Sequence, residues 1–458
     1  MKSKSLIILI FLFLSTFVGC SKFLDQQPIS SISSSEFYKN TKEVGSGVVS
    51  CYNGLMSLYD IDFTLTEIRS DNTTTLVHEG VFNAIDHFQD DPTNSEAQLY
   101  WQISYNTIYR TNSVLASLNN VSDTGLKQQY EGEARFIRAL CYFNLVRLWG
   151  GVPLVTKVIS PNDQNAFGRT PVDSVYSTII SDLKTAINNL PVSYSSSGDL
   201  GRATKGAATG MLAKVYLTLH RYSDALPLLQ SLMKAPYSYV LMSNYRDVFY
   251  QEMNPEILFA VRYKANTPGV GETFSGEMTP LGPTIRGNNP TQSLLDAYAA
   301  NGYGIRYKVS VDTMQGDLVC GKYLNNDPLA SGGNDWIVLR YADVLLMYAE
   351  VTNEINGPTQ EGIDAFNMIR TRAGLSTYTV SDFTKDTFRQ AIYKERRVEL
   401  AFEDHRWFDL LRTNEVDSVM KANGAQEGFT FESYRALYPI PQREIDVSNG
   451  KLKQNAGY

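Results

Sequence analysis

The run YKERRVELAFEDHRWFDLLR, residues 393–412, is the densest concentration of ionisable side chains in the chain. Two of its carboxylates, Glu403 and Asp409, suggest acid/base work at a glycosidic bond. On a single helix, six residues separate them by about 9 Å along the axis and roughly 240° around it. They would then diverge from a bond that glycosidase carboxylates must flank. The spacing fits a structural role better. Glu395, Glu399 and Glu403 recur at i, i+4, Arg406 and Asp409 are i, i+3 neighbours, and Leu400, Trp407, Leu410 and Leu411 form an apolar side. The run reads as one ion-paired structural helix.

Other catalytic signatures are missing. The chain has no G-x-x-x-x-G-K-[ST] phosphate loop, no G-x-S-x-G elbow and no H-E-x-x-H. His78, His87, His220 and His405 are scattered. Beyond Cys20, the cysteines Cys51, Cys141 and Cys320 are odd in number, widely spaced and without a C-x-x-C. The expectation is no disulfide framework, no metal site and no cofactor, with Cys141 packed in a core.

Cys20 has a different setting. Lys2 and Lys4 precede an apolar segment from Leu6 to Val18, and Gly19 stands directly before the cysteine. That segment is shorter than the roughly 20 residues of a membrane-spanning helix and has the layout of a signal peptide. A small residue before cysteine resembles a bacterial lipobox, with Phe17 where Leu is usual. Residues 1–19 are therefore expected to be removed, Cys20 to carry lipid, and residues 20–35 to form a tether. The removed segment holds two lysines and no acid, so a formal charge of −7 becomes more negative by two. With no basic tract, nucleic acid is not an expected partner.

The rest reads as mostly helical. Apolar residues recur at three- and four-residue spacing over 130–149, closed by Gly150 and Gly151, and over 172–190 between two prolines. Residues 203–234 read as two antiparallel helices meeting near His220 and Arg221, and 338–374 as two more broken at Gly357 and Pro358. Small residues in the second helices, Ala225 and Ala365, suit helix pairs of the tetratricopeptide type. Residues 266–334 carry about twice the chain's average density of Gly and Pro, so loops are expected there, and loops of that length are often functional. Residues 57–92 are similarly polar, and the tail after Thr413 reads as mostly irregular. Trp336, in GGNDWIVL, stands at a loop-to-helix junction, where a ring either meets a ligand or packs at a helix start.

Several segments together resemble one family. They are Cys20-x-x-Phe23-Leu24-Asp25, GEARFIRALCYFNLVRLWGGVPLV at 132–155, Gly201-Arg202-Ala203-Thr204-Lys205, VLRYADVLLMYAE at 338–350, ERRVELAFEDHRWFDLLR at 395–412, YPIPQREI at 438–445, and the terminal QNAGY. In this order they resemble SusD/RagB-type lipoproteins. The resemblance implies a SusD-like α-helical fold with about four tetratricopeptide-like helix pairs and an irregular, loop-rich binding part. It implies a non-enzymatic protein on the outer face of the outer membrane that binds glycans and serves a SusC-like TonB-dependent transporter. Peptide binding, a glycoside hydrolase and a pure interaction scaffold are the alternatives. The expected organisation is an N-terminal helical region at 36–265, a loop-rich ligand-binding insert at 266–335 and a C-terminal helical region with the tail at 336–458. Ligands of the family lie against loops near 69–88 and 274–336. The candidates there are Arg69, Asp71 and Asn72 for hydrogen bonding and Phe82, Phe274, Tyr303, Tyr307 and Trp336 for stacking.

Overall fold

The computed structural model describes residues 37–160, 163, 167–282, 284–324 and 327–458; the signal segment, Cys20 and the tether fall outside them. The chain is mostly helical. Long helices α1 (Thr41–Tyr59), α2 (Ser95–Ala116), α3 (Thr124–Trp149) and α4 (Val172–Asn189) are followed by α5 (Lys205–Thr218) and α6 (Tyr222–Leu232). After an irregular stretch come α7 (Gln292–Ala300), α8 (Tyr341–Asn356), α9 (Gln360–Arg372), α10 (Lys385–Glu399), α11 (Arg406–Arg412) and α12 (Val416–Glu427).

Local chemistry sets these boundaries. Asn94 caps α2 by accepting from the amides of Glu96 and Ala97, Asp123 caps α3 through Leu126, and Thr359 caps α9 through Gly362. Gly150 and Gly357, at φ 73° and 78°, end α3 and α8. The helices pack in pairs: α1 with α2, α3 with α4, α5 with α6, and α8 with α9. At α1/α2 the approach is close enough that a Cβ on Gly54 would lie 2.4 Å from Thr107 Oγ1. Ala225 and Ala365 are buried in the second helices of their pairs. α3 is buried on nearly all sides over its second half, from Phe136 to Trp149, which suits a helix flanked by both α2 and α4.

Three short antiparallel pairs complete the fold. β1 (Thr73–Thr74) pairs with β3 (Asn289–Pro290), β2 (Ile257–Val261) with β6 (Trp336–Arg340), and β4 (Val311–Met314) with β5 (Asp317–Cys320). In the β2–β6 pair Ile257 faces Arg340 and Val261 faces Trp336. Val338 to Arg340, read from sequence as the start of a helix, is therefore strand, and α8 begins at Tyr341. The tail is also more regular than expected, since Val416–Glu427 is helix.

The charged run is two helices rather than one. α10 ends at Glu399, and the chain turns through Phe402 and Asp404, both at positive φ, before α11 begins. The turn is held from residues far away: the Glu67 carboxylate accepts the amide N–H of Phe402 at 2.9 Å and of Asp404 at 3.0 Å. Arg406 consequently pairs with Asp71, while Asp409 pairs with Arg396 and Arg412.

Arg340, at the end of β6, is fully buried. All five of its N–H donors are spent: Nε on Glu403, Nη1 on Glu256 and Glu399, Nη2 on Glu403 and the Glu399 carbonyl, at 2.7–2.9 Å. Arg306 bridges Glu395 and Glu399, Arg372 bridges Glu256 and Glu399, Lys322 meets Glu403, and Arg370 meets Glu395. Five cations and four carboxylates thus share one interior. Burial works against ionisation of Glu399 and Glu403, but Arg372, Arg340 and Arg306 around the first, and Arg340 and Lys322 around the second, hold both below the usual carboxylate range.

Other carboxyls are buried without enough positive charge. Burial raises Glu67, Glu272 and Glu277 to about 7, against the pull of their hydrogen bonds and, for Glu277, of Arg286. The two groups act oppositely on stability. The depressed carboxyls contribute stability that is lost as pH falls below their unfolded values. The raised ones contribute stability below the reference 4.5 that is lost as pH rises to about 7. Urea unfolding followed from about pH 3 to 9 is expected to show its greatest stability near pH 5 and a decline on both sides; a flat profile above pH 5 contradicts this. Arg340→Ala takes one cation from each of three buried carboxylates and leaves their remaining cations to hold them, and a loss of about 3–5 kcal/mol in the same measurement is expected; a loss under 1 kcal/mol would mean that the cluster relaxes around the gap.

Candidate functional site

The candidate residues divide by burial. Arg69, Asp71, Asn72, Phe274 and Trp336 are interior, each at most 2% exposed. Arg69 donates to Asp90 Oδ1 and to the Arg435 carbonyl, both at 2.8 Å, with its guanidinium 3.9 Å from the Tyr438 ring centroid. Asp71 receives Arg406 at 2.7 and 3.0 Å and Arg397 at 2.9 Å. Burial opposes its charge, yet these two guanidiniums hold it below the usual carboxylate range. Asn72 donates to Glu67 and accepts from Arg397. Trp336 stacks on Tyr323 at 5.1 Å, and Phe274 stands edge-on to it at 4.9 Å. These five side chains are enclosed by internal partners, with the Arg69 Nε alone among their polar atoms buried without a hydrogen bond, and their roles are in packing and charge pairing. The Glu403 and Asp409 carboxylates are likewise engaged by buried arginines and point to different partners.

Phe82, Tyr303 and Tyr307 are accessible. Phe82 is half-buried under Arg286, whose guanidinium lies 4.9 Å from the ring centroid. Tyr303 is 49% exposed. It stands edge-on to the half-buried Tyr307 at 5.1 Å, and Tyr307 does the same to buried Tyr298 at 5.4 Å. The backbone at Tyr303 is unusual: φ 57°, ψ −65°, between Gly302 and Gly304 that are also at positive φ. The Gly304 amide donates to the Gly302 carbonyl at 2.6 Å. This is a γ-turn of the strained hand, rare for any residue with a Cβ. Such strain persists only where surrounding contacts impose it, and it clusters at ligand sites.

Asn301, two residues before Tyr303, lines a cleft. α7 and α10 form its two walls, enclosing about 830 Å³. Across the floor, Arg370 Nη1 donates to Asn301 Oδ1 at 3.0 Å and Glu395 Oε2 at 2.9 Å, and Asn301 donates to the same carboxylate. At one side Arg397 reaches Asn72, Ser293 and Asp71. Burial lowers Arg397 to about 10 despite Asp71. Tyr378 and Phe383, with ring centroids 4.9 Å apart, supply an aromatic edge, and Arg370 lies 4.8 Å from the Tyr378 ring. Gln390 and Lys394 on α10 and Gln426 on α12 are exposed to the cleft and make no hydrogen bond or ion pair among the described residues. Asn301 caps α7 at the cleft, and Tyr303 follows two residues later. The Ile305 amide donates to the Ala373 carbonyl at 3.2 Å, tying the tyrosine turn to the loop that carries Tyr378.

The cleft therefore combines fixed floor groups, free amides, a free ammonium and aromatic faces, the equipment of a site for a polyhydroxylated ligand. Lys394, Gln390, Tyr378 and Phe383 were not found by sequence reading. Tyr378 and Phe383 follow Gly374 in a segment without helical periodicity, and that was the available signal; the lysine and glutamine look like any solvated helix face. Among the described residues no group of three or more His, Cys, Asp or Glu is arranged to hold a metal ion. Trp336→Ala is expected to cost about 3–5 kcal/mol in urea unfolding, as for a large core ring. Tyr303→Gly, by contrast, should leave stability within about 1 kcal/mol or raise it, because glycine accepts the turn without strain; equal losses in the two variants would place Tyr303 in the core.

Comparison with known proteins agrees with this architecture. A family model described as "SusD family" matches residues 329–458, and one described as "Starch-binding associating with outer membrane" matches 22–217. The chain is 28% identical to SusD-like protein P25 of Formosa agariphila over 100% of its own length and 99% of that protein's. Among solved structures, a laminarin-binding SusD-like protein superposes with a TM-score of 0.77 at 25% identity, covering 92% of this chain and 100% of the other. A SusD homolog from Bacteroides thetaiotaomicron superposes with a TM-score of 0.80 at 23% identity, covering 93% and 98%. With both helical regions matched and the fold shared along nearly the whole chain, these similarities support the SusD/RagB-like family.

Proposed function

We propose that the protein is a glycan-binding lipoprotein of the outer-membrane surface that captures oligosaccharide and passes it to a SusC-like TonB-dependent transporter. The observation that carries this reading is Tyr303: a half-exposed ring, held in a strained turn two residues after Asn301, which lines a polar cleft. A flat ring suits the C–H face of a sugar, and the cleft amides and ammonium suit its hydroxyls. The similarity to a laminarin-binding relative and to the family described as starch-binding at the outer membrane supports the ligand class and the location. In this reading the loop-rich stretch 266–335 supplies the tyrosine shelf, Cys20 anchors the chain, and binding rather than bond cleavage is its role.

Tyr303→Gly is the direct test, since it removes the ring without disturbing the turn. Against a glycan panel in isothermal titration, at least a tenfold loss of affinity is expected, about 1.4 kcal/mol or more. Unchanged affinity for every bound glycan would refute the site.

A further inference from the structure

The charge around the cleft narrows the ligand class, granted that the cleft is a glycan site. Beneath the floor, the Arg340 cluster holds five cations against four carboxylates. Arg370 of that cluster lines the cleft. At the side, Asp71 forms ion pairs with both Arg397 and Arg406, with Glu67 near Arg397 and Asp409 and Glu415 near Arg406. Counted over direct ion pairs, cations exceed carboxylates by one in each group, and Arg370 and Arg397 bring two of these guanidiniums to the cleft. Above them stands Lys394, exposed, three residues before Arg397 on α10 and so on the same helical face, with no ion partner among the described residues.

Three acids also line the cleft, and Glu395 on its floor is paired with Arg370 and Arg306. Asp386 is 85% exposed and paired with Arg389. Asp296 lies on the opposite wall, where it accepts from Gln292. Neither reaches Lys394 within ion-pair distance. The two walls therefore differ: α7 offers a carboxylate, which suits sugar hydroxyls, and α10 offers unanswered positive charge.

We propose that the cleft takes a glycan bearing an anionic substituent, a carboxylate or a sulfate ester, seated against Lys394 and Arg397. Planar guanidinium and ammonium groups recognise both substituents by charge-assisted hydrogen bonds. A neutral glycan would leave this positive edge unanswered.

The test uses the full chain and matched glycan pairs in isothermal titration: polygalacturonate with its carboxyl-reduced form, and sulfated dextran with dextran. At least one anionic member is expected to bind about tenfold tighter than its neutral partner. Which pair shows the preference distinguishes carboxylate from sulfate. Lys394→Glu should abolish the preference, and Lys42→Glu, at an exposed position of α1, should retain it. Equal affinity within both pairs, or equal loss in the two lysine variants, overturns the proposal. Tyr303-dependent binding of glycans without charge preference overturns this proposal alone; binding of no glycan overturns it together with the glycan reading.

Discussion

Arg340 is the interaction on which the rest of the structure depends. It lies at the junction of β6 with α8, and its five hydrogen bonds reach β2's neighbour Glu256, the end of α10 and the turn before α11. Buried ion pairs contribute little net stability over apolar packing, because desolvation offsets their attraction. What they do is penalise every other arrangement. A guanidinium with five fixed donors among three carboxylates fits one relative placement of strand, helix and turn. Once that placement is set, Arg306 has only one place to go, onto Glu395 and Glu399. Arg306 belongs to the short helix Gly304–Ser310, which carries Tyr307 and begins at the strained turn of Tyr303. The interior cluster thus holds in place the turn that exposes the Tyr303 ring.

The helix pairs were legible in the sequence because their information is local. Periodicity, prolines and glycines placed α3, α4, α5/α6 and α8/α9 within a few residues, and Ala225 and Ala365 lie buried in their second helices as read. The polar stretch 57–92 was misleading for the opposite reason. Arg69, Asp71 and Asn72 look solvated beside Thr73, Thr74 and Thr75. Yet their partners Arg397, Arg406 and the Arg435 carbonyl come from more than 300 residues away. Composition treats polarity as exposure, and only the assembled chain shows that these groups satisfy one another. The same holds for the break between α10 and α11, which is imposed by the distant Glu67 on a run whose own pattern continues.

Trp336 shows a third limit. Its flanking glycines suggest a loop, and an exposed ring in a loop suggests a ligand. In the fold those glycines let the chain enter β6, and the ring closes the core with Tyr323 and Phe274. Tyr303 has a glycine on each side, where Trp336 has two only before it, and the outcome is the reverse, because its turn leaves the ring exposed. Sequence could rank both as candidates; only backbone direction separates them.

This division has a consequence for specificity. The motifs by which the family is recognised, such as ERRVELAFEDHRW, are those whose side chains are buried and mutually paired, so substituting one leaves another stranded at a cost of several kcal/mol. Lys394 and Gln390 lie within or beside the same motif on α10 but have no partners to strand. Replacing an exposed, unpaired side chain changes stability by about 0.5 kcal/mol or less. α10 therefore presents a fixed inner face and a free outer face to the two sides of the cleft. The inner face keeps the walls in place, and the outer face can change the ligand without changing the fold. Built this way, the chain can share its buried motifs with a relative at 28% identity while its exposed side chains are free to differ.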